Sequence, residues 1–420
     1  MKEIEFYGRG EIMQLDSGLE VLLKPLEYAR SVAMQLWFRV GALYENETNS
    51  GLSHYLEHML FKGTEKYSPQ QVNRLIEEVG GRQNAATSQD YTKYHVTLPA
   101  DRWQRGLELL SQLCFHPQLP EDEFEKERRV VLSELDRYSD QPDKILWKQF
   151  IPRLYHDHPY ERLVIGSREV LESVSYSDLL SYYEKFYAPQ NATLIIAGDF
   201  DREALMNQVK QLFESLESKG DLGALDFPAI KKPLESGMKR VSGRVNQVYG
   251  VLGTPGYPAD DERIAALDLL MEILGGGPAS RLYEKLVLRE ELASTLTARF
   301  WTQRESGPLV VRFRCEPEAT GNLMEAIYNE MKALAKTPPT ERELERSRVQ
   351  LKTDVMFSAQ TAAGQANQLG YGRVVESFDH FAKYLRGLEK ATAEQLREIS
   401  RELLDPERWT GVLLEPEEGE

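Results

Sequence analysis

The feature that most constrains this chain is a break near its middle, with a similar order of elements on either side. From Lys219 to about Ser236 the apolar periodicity lapses into Lys219-Gly220-Asp221-Leu222-Gly223, then Pro228 and the Lys231-Lys232-Pro233 cluster. Such a run of turn formers reads as a linker. At 420 residues the chain exceeds what one core usually holds, so two domains of roughly 200 residues each are expected.

Before the break, Ile12 to Leu15 and Leu19 to Leu23 flank Asp16-Ser17-Gly18 and predict a hairpin. A strand follows at Ser31 to Val40, closed by Gly41. Helical periodicity then runs from Gly51 through Leu52, Tyr55, Leu56, Met59 and Leu60. Ser68-Pro69-Gln70-Gln71 offers a cap, a proline at the first helical position and a capping box, and that helix stops at Gly80-Gly81. The stretch Asn84 to Pro99 reads as strand, 101–115, 121–139 and 168–187 as helices, and Ala192 to Ala197 as an apolar strand.

After the break, Gln247 to Leu252 is an expected strand, Glu262 to Leu274 a helix ending at Gly275-Gly276-Gly277, and Leu309 to Cys315 and Trp409 to Leu414 strands. Setting Gly275 on Gly63 places Ala266, Leu269 and Leu270 where the first half has His54, Glu57 and His58. The second half then reads as a duplicate without the polar residues of the first. The expected division is 1–218, a linker at 219–236, and 237–420.

Those polar residues carry the chemistry. In His54-Tyr55-Leu56-Glu57-His58, residues three and four apart share one helix face, so both imidazoles can meet one ion with Glu57 beside it. Zinc suits imidazole with carboxylate, and a catalytic site keeps three protein ligands and one open position. The set therefore needs a further acid. The helix at 121–139 offers Glu127 and Glu134, two turns apart on one face. A glutamate pair in an acidic helix is by itself ordinarily a solvated face.

Composition narrows the class. The net charge of −16, without a sustained Lys/Arg stripe, argues against nucleic acid. Cys114 and Cys315 stand far apart, form no CxxC pair, and are expected as small buried residues. Met1-Lys2-Glu3-Ile4-Glu5-Phe6 lacks the pattern of a secretory signal, and no run approaches a membrane span, so a cytoplasmic location with no membrane partner is expected.

The order His-x-x-Glu-His, with Glu134 well beyond the second histidine, resembles the pitrilysin/insulinase family of inverzincin zinc peptidases, which includes the mitochondrial processing peptidase. The likeness spans nearly the whole chain. It implies an α+β fold of two similar domains, each a mainly antiparallel sheet packed with helices, of which only the first binds metal. Carried over by position, it implies one zinc ion on His54, His58 and Glu134, Glu57 as general base for peptide hydrolysis, and Glu127 as an auxiliary acid that orients a ligand. Asn84-Ala85-Ala86 is similar to the family's substrate-facing edge strand, which pairs with an extended peptide. His95, His116 and the His156-Asp157-His158 loop receive no role.

One departure bears on partners. Family members that act alone carry an Arg and a Tyr seven apart after a Ser-Arg-Leu helix start in the second domain. Here Ser280-Arg281-Leu282 sets the register, yet Val287 and Ser294 occupy those places. Arg289 comes two residues late, and Leu296 stands seven beyond it. The resemblance thus implies a heterodimer whose homologous partner subunit supplies the pair. Alternatives are a non-catalytic assembly subunit, a peptide-binding scaffold, or a zinc hydrolase of other amides. Similar ligands also accept cobalt or manganese.

Overall fold

The computed structural model describes residues 10–217, 226–231, 233, 236–375 and 380–417. The linker expected at 219–236 lies largely outside the described residues.

The first half of the chain supplies strands β1 (Glu11–Gln14), β2 (Glu20–Pro25), β3 (Ser31–Phe38), β4 (Arg82–Thr87), β5 (Thr92–Pro99) and β6 (Ala192–Gly198). The second supplies β7 (Gly237–Gly243), β8 (Val248–Pro255), β9 (Thr295–Phe300), β10 (Pro308–Cys315) and β11 (Thr410–Pro416). The helices that matter below are α1 (Leu52–Leu60), α2 (Pro69–Glu77), α3 (Trp103–Phe115), α4 (Glu121–Ser139), α5 (Pro142–Leu154), α6 (Arg168–Ser173), α7 (Tyr176–Phe186), α8 (Ile264–Gly275), α9 (Glu341–Ser358) and α10 (Ala362–Val374). No described helix is long and apolar enough to cross a membrane.

The strands form two sheets, in the orders β1-β2-β6-β3-β5-β4 and β7-β11-β8-β10-β9. Apart from β1, the two sheets share one plan. Each has one parallel pair, β2 with β6 and β7 with β11, and every other pairing is antiparallel. The duplication expected from the order of elements is thus present as repeated topology. Central strands β3 and β6 are almost wholly buried, which is why they read as continuous apolar runs. By contrast β5 alternates strictly between buried and half-buried residues, the signature of a strand with one wetter face.

Two expectations need correction. The stretch Asn84 to Pro99 is not one strand but the hairpin of β4 and β5, turned at Ser88 to Tyr91 by the bond from the Ser88 N–H to the Tyr91 carbonyl. The helix expected at 168–187 is two, α6 and α7, because Ser175 leaves the helical region at ψ 162° and caps α7 in a reciprocal capping box with Asp178. The cap at Ser68 forms as expected, with Gln71 closing the box.

The chain divides into two compact units, and each takes in a segment from the other half of the sequence. The first comprises 1–135, 162–226 and 356–382; the second comprises 136–161, 227–355 and 383–420. In the first unit α10 packs on β3 and β6, where Ala362, Ala366, Leu369 and Val374 join the fully buried Trp37 and Ile195. Gly370 lies so close to Trp37 that a Cβ there would come within 2.3 Å of its ring. In the second unit α5 takes the equivalent place on β8 and β11, and a Cβ on Gly253 would meet the Phe150 ring at 2.9 Å. Cys114 and Cys315 are both free and buried, as their isolation in the sequence suggested.

Candidate metal centre

Helix α1 begins where two glycines meet. Gly51 has φ +93°, and a Cβ on it would stand 2.8 Å from the Cα of Gly166, so no other residue fits without backbone movement. The orphan amides of the first turn go to a carboxylate six residues upstream. Glu45, buried, accepts from the Gly51 and Ser53 N–H groups at 2.7 and 2.8 Å. A negative charge at this end also suits the helix dipole, a contribution of about 1 kcal/mol in such positions. Burial raises the pKa of Glu45 despite those donors, and the Arg162 side chain donates to the Glu45 carbonyl beside it.

The apolar face of α1, Leu52, Tyr55, Leu56, Met59 and Leu60, is buried. Tyr55 stacks on Phe124 of α4 with ring centroids 5.0 Å apart, and its hydroxyl donates to the Phe124 carbonyl. This contact sets the distance between the two helices that carry the candidate ligands. The opposite face of α1 is left half-buried, and it holds His54, Glu57 and His58.

Across from it, Glu134 projects from α4. Its Oε2 lies 3.9 Å from His54 Nε2 and 3.6 Å from His58 Nε2. One ligand atom from each of the three residues falls within 4.8 Å of the others, which makes them a group able to hold a metal ion. Four ligands around zinc at bonds of about 2.0–2.1 Å stand roughly 3.3–3.4 Å apart. The observed separations therefore need only small closure, and the donor set of two imidazoles and a carboxylate suits zinc.

Electrostatics match. Burial, with the neighbouring His58 adding to it, pushes the His54 pKa down to about 4, so the ring is neutral and its lone pair free near neutral pH. Burial also opposes charge on His58, yet the hydrogen bond and negative charge of Glu127 outweigh it and leave the pKa raised. Glu127 Oε1 stands 2.9 Å from His58 Nδ1, and its other oxygen pairs with the Lys62 ammonium. This carboxylate, only 4% exposed, thereby turns the His58 ring so that Nε2 faces Glu134. His58 and Lys62 hold it below the usual carboxylate range, although burial works the other way. Glu127 is thus a partner of a candidate ligand and stands outside the ligand group itself.

Glu57 points elsewhere. Its Oε2 accepts the Thr87 hydroxyl at 2.5 Å. Burial raises its pKa, with the Thr87 hydrogen bond and His58 opposing. Thr87 ends β4, and β4 is the last strand of its sheet among the described residues, so the edge expected at Asn84, Ala85 and Ala86 is a true edge. Along it Asn84 is exposed, Ala85 buried and Ala86 half-buried, and the Ala85 N–H bonds to Asn84 Oδ1 at 3.0 Å.

In the first unit His54, His58 and Glu134 thus come together with Glu127 beside His58, while Asn84, Ala85 and Ala86 lie on the strand whose last residue, Thr87, reaches Glu57. Sequence reasoning missed Lys62, Thr87 and Glu45. Lys62 had a signal, because it continues the four-residue ladder of His54 and His58. Thr87 had only its place in the strand. In the second unit, Arg289 pairs with Glu284 at 2.5 Å, and Leu296 is 1% exposed and part of the core.

The chain is similar to known proteins along most of its length. The model of the insulinase family, peptidase family M16, matches residues 20–168, and that of the M16 inactive domain matches 173–351. A Bacillus subtilis (strain 168) protein recorded as the uncharacterized zinc protease YmxG is 27% identical over 401 residues, covering 95% of this chain and 97% of that one. An uncharacterized zinc protease of Rickettsia felis is 29% identical over 379 residues, 89% of this chain and 88% of its own. Among solved structures, a protease from Helicobacter pylori superposes with a TM-score of 0.91 at 26% identity, covering 98% of this chain and all of that one. With both family models matched in sequence order and His54, His58 and Glu134 brought together, the chain belongs to the insulinase family of peptidases, family M16.

Proposed function

We propose that this chain is a zinc metallopeptidase that hydrolyses peptide bonds, with one zinc ion per chain on His54, His58 and Glu134. The observation that supports it most is the convergence of these three donors beside Glu57, next to an open strand edge. Zinc supplies a Lewis acid that lowers the pKa of water to about 7 and polarises a carbonyl.

The remaining work falls to the chain's own side chains. Neutral His54 offers Nε2, and Glu127 keeps His58 turned for the same purpose. Glu57 takes the proton of the attacking water and later gives it to the leaving amine. Its raised pKa suits both tasks, since a base that must also act as an acid works best when its pKa approaches the working pH. An extended peptide adds to β4 at Asn84, Ala85 and Ala86, held by backbone pairing.

The second part of the proposal is a heterodimer. Val287 and Ser294 stand where self-sufficient members carry their Arg and Tyr, and the neighbouring Arg289 is engaged by Glu284. A homologous subunit supplies that pair.

The test measures zinc content and cleavage of an internally quenched peptide library for the wild type and Glu57→Gln. Each is assayed alone and mixed with the product of an adjacent homologous reading frame. Wild type cleaves only in the mixture, and Glu57→Gln keeps zinc but does not cleave. Unchanged cleavage by Glu57→Gln would refute the mechanism; full activity of a pure homodimer would refute the partner.

A further inference from the structure

Helices α1 and α4 account for the metal group and for Glu127, but Thr87 lies on neither. It closes β4, the strand at the sheet edge, and donates its hydroxyl to Glu57 Oε2 at 2.5 Å. Its backbone N–H also favours the charge of the same carboxylate. Two residues earlier, the Ala85 N–H bonds to Asn84 Oδ1. Backbone groups alternate in direction along a strand, so Ala85 and Thr87 present their N–H groups to the same side of β4. The edge that an extended peptide would pair with therefore leads directly to Glu57.

Thr is suited to hold something still. Its β-branch restricts χ1, so the hydroxyl is placed by the strand backbone with little freedom. Glu57, on a flexible side chain with two rotatable bonds before its carboxylate, gains direction from that contact. A serine would offer the same donor with less stiffness, and a valine the same shape with no donor.

We infer that Thr87 is a positioning residue, which holds the Glu57 carboxylate at the end of the strand edge where peptide adds. This rests on the peptidase reading above. One residue then sets both the base and the last rung of the pairing edge, so a peptide in register on β4 meets a carboxylate already in register with it. Thr87 bonds to Glu57, which is not among the three metal donors, whereas Glu127 bonds to one of them, so the Thr87 hydroxyl is dispensable for metal uptake.

The test compares wild type, Thr87→Val and Thr87→Ser in the full chain, with the homologous partner present for kinetics. Zinc content and thermal midpoint stay at wild-type values in both variants. For cleavage of a quenched peptide, kcat of Thr87→Val falls about tenfold to a hundredfold with KM within about twofold, because misplacement of a reacting group costs that much. Thr87→Ser recovers most of the loss. Crystals of the zinc-loaded chain provide a readout independent of turnover: Glu57 holds one rotamer in wild type and leaves it in Thr87→Val. A Glu57 that stays in place in Thr87→Val overturns the inference whatever the activity. So does a kcat equal to wild type, or a Thr87→Ser as slow as Thr87→Val. A wild type that binds zinc but cleaves no peptide counts instead against the peptidase reading, and the crystal comparison still decides on Thr87.

Discussion

Helices α1 and α8 follow equivalent strands of the two sheets, and both precede glycine, but they use their inner faces differently. In α1 the positions His54, Glu57 and His58 are half-buried and polar. At the matching positions of α8 stand Ala266, Leu269 and Leu270, exposed by 2%, 0% and 0%. Helices α4 and α9 differ in a milder way, because both keep polar residues at the matching positions. Arg128 and Arg348 mark their register, because each guanidinium donates to two backbone carbonyls: Leu171 and Val174 in one case, Leu388 and Ala391 in the other. With Arg348 set on Arg128, Ser347 takes the place of Glu127 and Asp354 that of Glu134. Ser347 is 1% exposed and its hydroxyl has no partner among the described residues, as expected where Leu270 replaces the histidine it would have served. The two helix pairs thus share their arginine, but where the first unit sets its candidate donors the second sets buried Ala266, Leu269, Leu270 and Ser347, with Asp354 left exposed.

This comparison can be broken at several points. His58→Ala should abolish stoichiometric zinc binding, measured by metal analysis after dialysis, whereas Leu270→Ala should leave zinc untouched and instead lower the thermal midpoint, since a buried Leu→Ala costs about 2–5 kcal/mol. Glu57→Gln should keep zinc and lose about 10²–10⁴ in kcat, the usual worth of a general base, in a quenched-peptide assay.

Replacing Glu127 by Gln, or Lys62 by Met, should weaken zinc by about tenfold to a hundredfold at pH 8, as removal of a ligand's partner does. The pH dependence sharpens this. Because Glu127 raises the His58 pKa, protons compete with metal from above the ordinary histidine value of 6.5, and affinity falls as pH falls through that range. His54, near 4, adds competition only in stronger acid. Glu127→Gln should therefore give a weaker but flatter zinc-binding curve between pH 8 and 6. The smallest effect belongs to the second unit: Ser347→Ala should shift the thermal midpoint by no more than a degree or two, and upward, because it removes a buried hydroxyl that lacks a partner.

How much of this was legible depended on whether the signal was local. Helix periodicity places His54, Glu57 and His58 on one face and Glu127 with Glu134 on another, whereas joining the two faces rested on the family resemblance and not on spacing. Ser68 advertised its capping box by a signal just as local. Ser175 and Asp178 carried an equally good box within the stretch expected as one helix, and there the apolar run on either side concealed it. The Ser88 to Tyr91 turn lacks glycine, so β4 and β5 read as one strand. Thr87 became visible only when β4 was laid against α1, a contact thirty residues long in sequence that no periodicity encodes. The placement of α5 and α10 likewise depends on packing over long separations, and nothing in the composition of either helix states which sheet it covers.

Helix α10 has a consequence for the order in which the molecule can be made. The last strand of the first sheet ends at Gly198, but the helix that covers Trp37 and Ile195 begins only at Ala362. At synthesis rates of about 5–20 residues per second, roughly ten to thirty seconds pass between them. Throughout that interval the nascent sheet lacks the helix that covers this apolar face in the finished unit. Both helices that carry the candidate metal donors emerge early, yet the unit that supports them is completed late, which makes this half of the chain a candidate client for chaperones while it is still on the ribosome.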